Sequence, residues 1–234
     1  MYLYCTIKKN YIMATAKNPK SKKQLIDDDQ LIEMYMNAVL EKNEAPKNVY
    51  LFCKENAIEE ADFYSFFNSL DALRETIWVK FFENAISTLH KDANYAAYEN
   101  RNKLLSLYFT LFEILTLNRT YVYYTLKDNK EGLRNLKQLA SLRNHFKDYI
   151  VDILKTGETE KDSKIKKITT PVFSEGAWLQ FLFILKFWME DTSKGFEKTD
   201  IMIEKAVKAT FDILDTTPLE SLFDLGKFIW KERR

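Results

Sequence analysis

Glycine, proline, cysteine and histidine are all scarce in this chain: 5, 4, 2 and 2 among 234 residues. So few glycines and prolines leave too little turn chemistry for a many-stranded sandwich or barrel. The two cysteines, Cys5 and Cys53, form no CxxC pair and no Cys/His cluster. That excludes a structural zinc and a disulfide framework, and it points to a reducing, cytoplasmic compartment. His90 and His145 lie far apart on stretches of helical spacing and read as ordinary solvent-facing side chains. No apolar run approaches the ~20 residues that cross a bilayer. An excess of charge of one sign is also missing, since 35 Lys and Arg against 34 Asp and Glu leave +1. The molecule as a whole therefore has no field that draws nucleic acid or an anionic membrane, and any such signal is local. There is no glycine-rich phosphate loop, and no motif places a histidine beside a serine or aspartate, so neither an enzyme nor a cofactor nor a metal is expected.

What the chain does have is apolar periodicity, with 46% hydrophobic and 15% aromatic residues. The first twelve residues put Lys8 and Lys9 behind a short apolar patch, the wrong order for a secretory signal, and Met13-Ala14-Thr15 reads as an alternative start. Residues 1–26 form a basic arm, mobile in its polar part MATAKNPKSKK. Leu31, Ile32, Tyr35, Met36, Val39 and Leu40 then recur at helical spacing until Pro46. Asn48 can cap a second short helix, and Glu59, Glu60 and Asp62 place negative charge in the first turn of a third, as the macrodipole favours. Ser69 opens a long fourth helix running to about His90. Further helices are expected over 95–117, 119–126, 133–154, 175–190 and 196–214, with a last one from Thr217-Pro218 to about Trp230. Residues 155–170 read as a flexible loop. The fold class is all-α: a helix-turn-helix three-helix module followed by a helical bundle.

Two short helices joined by a tight turn, ahead of a long helix, are carried by NVYLFCKENAIEEADFYSFFNSLDAL. This stretch resembles the reading head of the TetR/AcrR family of bacterial transcriptional regulators. Asn48 takes the capping place, Phe52-Cys53 the Ile-Ala pair and Ala57-Ile58-Glu59 the turn. Phe63-Tyr64 stands for Leu-Tyr, while Phe67, Ser69 and Leu73 keep the aromatic, the serine and the buried leucine. The resemblance implies a dimer on operator DNA, with a head at 27–72 and a ligand-binding and dimerisation body at 73–234. It also implies that Tyr64 meets a phosphate, with packing against Phe67 as the alternative.

The departures fall on the surface that faces DNA in such proteins. Ala57 replaces the turn glycine, Glu59 the serine and Leu70 the lysine. Between Asp27 and Leu70 ten acids stand against three bases, a charge of −7. Affinity for duplex DNA normally comes from Lys and Arg displacing counterions, so this head favours weak or narrow binding. The arm works the other way, because Lys8, Lys9, Lys17, Lys20, Lys22 and Lys23 precede the first acid; a solubilising tail is the other reading. The DNA-contact set is accordingly Lys17, Lys20, Lys22, Lys23, Lys47, Asn48, Glu60, Asp62, Tyr64 and Ser69. Glu60 and Asp62 enter as acceptors for cytosine.

In the body, Trp78, Phe82, Tyr108, Phe112, Arg119, Tyr121, Tyr124, Trp178 and Phe181 are the candidate lining for an apolar effector, and a plain aromatic core explains most of the same residues. The resemblance further implies a four-helix dimer seam, to which Phe183, Phe187, Ile203, Val207 and Phe211 are assigned. A second reading keeps the fold without DNA, as a lipid- or ligand-binding accessory protein whose acidic face docks a basic partner.

Overall fold

The computed structural model describes residues 26–127, 132–155 and 163–216, and every element in them is helical. The first, α1 (Asp28–Lys42), opens on a full capping box. The Asp27 carboxylate accepts from the Gln30 N–H at 2.8 Å and the Gln30 side chain accepts from the Asp27 N–H at 3.2 Å. Asn43 closes the helix in the left-handed region, with φ 51°. Asn48 then caps α2 (Val49–Glu55) by accepting from Leu51 N–H at 2.8 Å. Ser69 does the same for α4 (Leu70–Leu89), accepting from Ala72 N–H at 3.1 Å. Between them α3 spans only Glu60–Tyr64, so Phe66 and Phe67 lie in the turn that follows rather than on the helix.

After a 3-10 turn at Tyr95–Ala97 come α5 (Asn100–Leu117) and α6 (Arg119–Lys127). A 3-10 segment, Gly132–Leu139, leads into α7 (Ala140–Lys155). The last described pair is α8 (Ser163–Glu190) and α9 (Glu197–Thr216), joined by a 3-10 turn at Lys194–Phe196. The helix expected from Thr217 lies outside the described residues. The helices expected from 95 and 133 start later, at Asn100 and Ala140, each after a 3-10 stretch, and 163–170 is not loop but the first turns of α8, which runs through Pro171. A proline inside a helix removes one backbone donor, and α8 continues through it.

α4 and α5 lie together, α7 covers α4, and α8 and α9 close the bundle against α7 and α5. The buried side chains form one cluster from Leu31, Phe52 and Phe63 in the head, through Leu73 and Ile77 on α4, to Ile203 and Val207 on α9. No described helix is long and apolar enough to cross a membrane.

Candidate functional site

In the head, α2, the turn and α3 are built around buried rings. Tyr35, Phe52, Phe63 and Phe67 meet in succession at centroid distances of 6.1, 5.9 and 5.9 Å. Cys53 lies in the same core, its thiol pushed up first by burial and then by the nearby Glu60, Asp62 and Glu59. An outward surface remains, since Tyr64 is 53% exposed and Phe66 and Tyr50 are exposed as well. Tyr64 does pack, but edge-on against Phe63, its neighbour in sequence, at 5.5 Å.

Lys47, Asn48, Glu60, Tyr64 and Ser69 all border a single open groove of about 490 Å³, which Asp71 and Arg74 also line. Asn48 and Ser69 spend a side-chain oxygen on capping, so their first role there is to hold two helix starts in place. Arg74 is engaged by Asp71 at 2.5 Å. Asp62 lies on the other side of α3, lining a groove against α1 with Glu33, Met34 and Glu59. Lys17, Lys20, Lys22 and Lys23 lie outside the described residues. Ala57 adopts φ 55° in the turn, a conformation that suits glycine.

Two sets of contacts join head and body. Lys80 on α4 donates to Asp28 at 2.8 Å and Asp29 at 2.9 Å, which raises the ammonium pKa and lowers that of Asp28. The Tyr124 hydroxyl on α6 donates to the Asn43 carbonyl at the end of α1. Tyr124 is thus a strut between the two regions.

The other aromatic residues expected to line an effector pocket mostly fill the core. Trp78, Tyr108, Phe112, Tyr121, Trp178 and Phe181 are buried. Phe146, which the sequence reading did not single out, lies at their centre within 5.6–6.1 Å of Tyr108, Trp178 and Phe181. Their polar atoms are mostly claimed inside the protein. The Trp78 indole donates to Gln138 at 3.0 Å and the Tyr108 hydroxyl donates to the Ala177 carbonyl at 2.9 Å. The Tyr121 hydroxyl is buried without a partner.

Arg119 caps a helix, donating to the carbonyls of Trp188 and Met189 at the end of α8 at 3.0 and 3.2 Å. Its guanidinium lies 4.4 Å from the ring centres of both Trp188 and Phe196. Burial lowers its pKa, with Asp191 pulling the other way.

The residues assigned to a dimer seam divide in two. Ile203 and Val207 are fully buried inside the protomer, where α9 meets α5 and α8, and are out of reach of a second copy. Phe183 is 59% exposed on α8, in line with exposed Leu179 and Val172. Phe187 is half-buried, and Phe211, also half-buried, meets Phe173 edge to face at 5.9 Å.

Of the expected pocket residues, Phe82 borders an open cleft between α4 and α7, about 630 Å³ in volume. Its other lining includes Glu83, Ile86, His90, His145, Asp148 and Tyr149. Both histidines are exposed, as their helical surroundings in the sequence imply. Only the packing of α7 on α4 brings them to one place, so no local signal could have found this cleft. Among the described residues no His, Cys, Asp and Glu group has the geometry to hold a metal ion.

Against known proteins, the model of the tetracyclin repressor-like, C-terminal domain matches residues 103–229, more than half of the chain. No curated protein matches it. The matched segment covers α5 to α9, the bundle that carries the aromatic core and the exposed α8 stripe, and it follows directly on the three-helix head and long α4. The chain belongs to the TetR family of regulators.

Proposed function

We propose that this regulator binds operator DNA as a homodimer, through a head at 27–72 helped by the basic arm at 1–26, and answers to a small ligand bound in the body at 73–234. Regulators of this family are generally non-enzymatic. The observation that carries the reading is the groove in which Lys47, Asn48, Glu60, Tyr64 and Ser69 converge. Such a groove offers an ammonium, a phenol and the start of a long helix, the kinds of group that hold phosphates and fix register. The exposed Val172, Leu179 and Phe183 on α8 supply an apolar face for a second copy. A two-fold dimer of helix-turn-helix heads reads half-sites about 34 Å apart, one turn of duplex.

One observation favours a second reading. The exposed part of the reading helix is Glu60, Ala61 and Tyr64, with Glu59 just before it. That acid favours an accessory protein that no longer binds DNA and whose head docks a basic partner.

A salt-titrated mobility-shift assay on DNA from upstream of the chain's own gene separates the two. The regulator gives a site-specific band that weakens with salt, and the accessory protein gives none at any salt. Replacing Lys17, Lys20, Lys22 and Lys23 by Ala abolishes the band if the arm supplies the attraction; unchanged affinity assigns binding to the groove alone.

A further inference from the structure

We propose that the cleft between α4 and α7 takes a small organic cation with an apolar body, an inference that rests on the body being the ligand-binding part. A volume of about 630 Å³ holds a compact organic molecule. The apolar wall is Phe82 and Ile86 from α4 and Tyr149 from α7. Phe82 and Tyr149 meet edge to face at 5.9 Å, and a 2.6 Å hydrogen bond between the Tyr149 and Tyr95 hydroxyls fixes the tyrosine ring. This wall is therefore set before any ligand arrives.

Charge decides the class of ligand. Glu83 and Asp148 stand beside the apolar wall against one ammonium, Lys91; Asp152 also lines the cleft but has a partner of its own. Glu83 and Asp148 are exposed and make no ion pair among the described residues, so their charge is directed at whatever enters. The Nδ1 of His145 lies 2.8 Å from the Ser141 carbonyl, which can only accept, so Nδ1 carries a proton and donates it there. Carboxylates along the walls of an apolar cleft focus a negative potential inside it. An anion of the same shape is repelled, and a neutral molecule leaves the carboxylates without a counter-charge.

Tetraphenylphosphonium and tetraphenylborate, near-identical in shape and opposite in charge, test the idea by calorimetry on the full chain near neutral pH. The phosphonium should bind at least about tenfold more tightly than the borate. The double variant Glu83→Gln/Asp148→Asn should weaken the phosphonium by about tenfold or more and narrow the gap between the two ions, with the helical circular dichroism unchanged. A second variant, Ser87→Trp, fills the cleft and should reduce phosphonium binding without touching a charge. No phosphonium binding, equal binding of the two ions, or a double variant that binds like the parent overturns the proposal. Repeating the mobility shift with phosphonium present separates it from the broader reading: bound phosphonium without effect on the DNA complex keeps the cleft and refutes ligand control, whereas no phosphonium binding beside an intact DNA complex refutes the cleft alone.

Discussion

Asp191 shows what one side chain does at a helix junction. Burial acts to raise its pKa, but its oxygens accept from the N–H and hydroxyl of both Ser193 and Thr199, and the hydrogen bonds prevail, holding the carboxyl at about 2. A carboxylate depressed in the folded state stabilises it fully above the unfolded pKa near 4, and the contribution is lost as pH falls through about 2. Asp191→Ala should cost about 2 kcal/mol in denaturant unfolding at neutral pH and flatten the acid limb of the stability profile. Ala57 gives the opposite case. With φ 55° it holds a conformation that costs an L-residue about 1–2 kcal/mol, so Ala57→Gly should raise the midpoint of thermal unfolding, by a net gain of roughly 0.5 kcal/mol once the freer unfolded chain is counted. Residue roles of this kind were legible only where the chemistry is local. Asn48 and Ser69 were readable as caps because a cap meets its donor three residues on. Arg119 was not, because its acceptors on α8 come near only when the bundle closes.

At the scale of the helix, α8 has two faces. Trp178, Phe181, Ile184 and Trp188 face the core, while Val172, Leu179 and Phe183 face outward. If the outer stripe meets a second copy, Phe183→Glu should give a monomer by light scattering with the circular dichroism spectrum retained. The partly exposed face of α9 contributes less, because Ile203 and Val207 point inward. Helical spacing revealed that α9 has an apolar stripe, but not which neighbour the stripe meets, since a bundle interior and a dimer seam demand the same periodicity. The start of α8 was missed for a different reason. Charged residues and a proline argue locally for loop, yet the helix runs through them. On α6, Tyr124 reaches Asn43 at the end of α1. Tyr124→Phe removes that hydroxyl and should reduce any ligand dependence of DNA affinity in the shift assay while leaving the fold intact.

For the molecule as a whole, the helical order of the head and the length of α4 were readable because caps, turn and apolar spacing all agree. The cleft was not, because its walls belong to helices far apart in the chain. The arrangement also bears on how separable the parts are. Leu31, Phe52, Phe63, Leu73, Ile77 and Trp78 belong to one buried cluster that continues into α5, α7 and α9. Chemical denaturation should therefore give coincident transitions by tryptophan emission and circular dichroism, and two separated transitions would show that head and body unfold independently. Because α4 contributes Leu70 and Leu73 beside the head's own apolar residues and Lys80 beside Asp28 and Asp29, a chimera that exchanges heads at residue 72 would sever a shared interior. A graft that carries the foreign α4 as far as its Lys80 position, and rebuilds its seat on the host bundle, is the exchange this architecture permits.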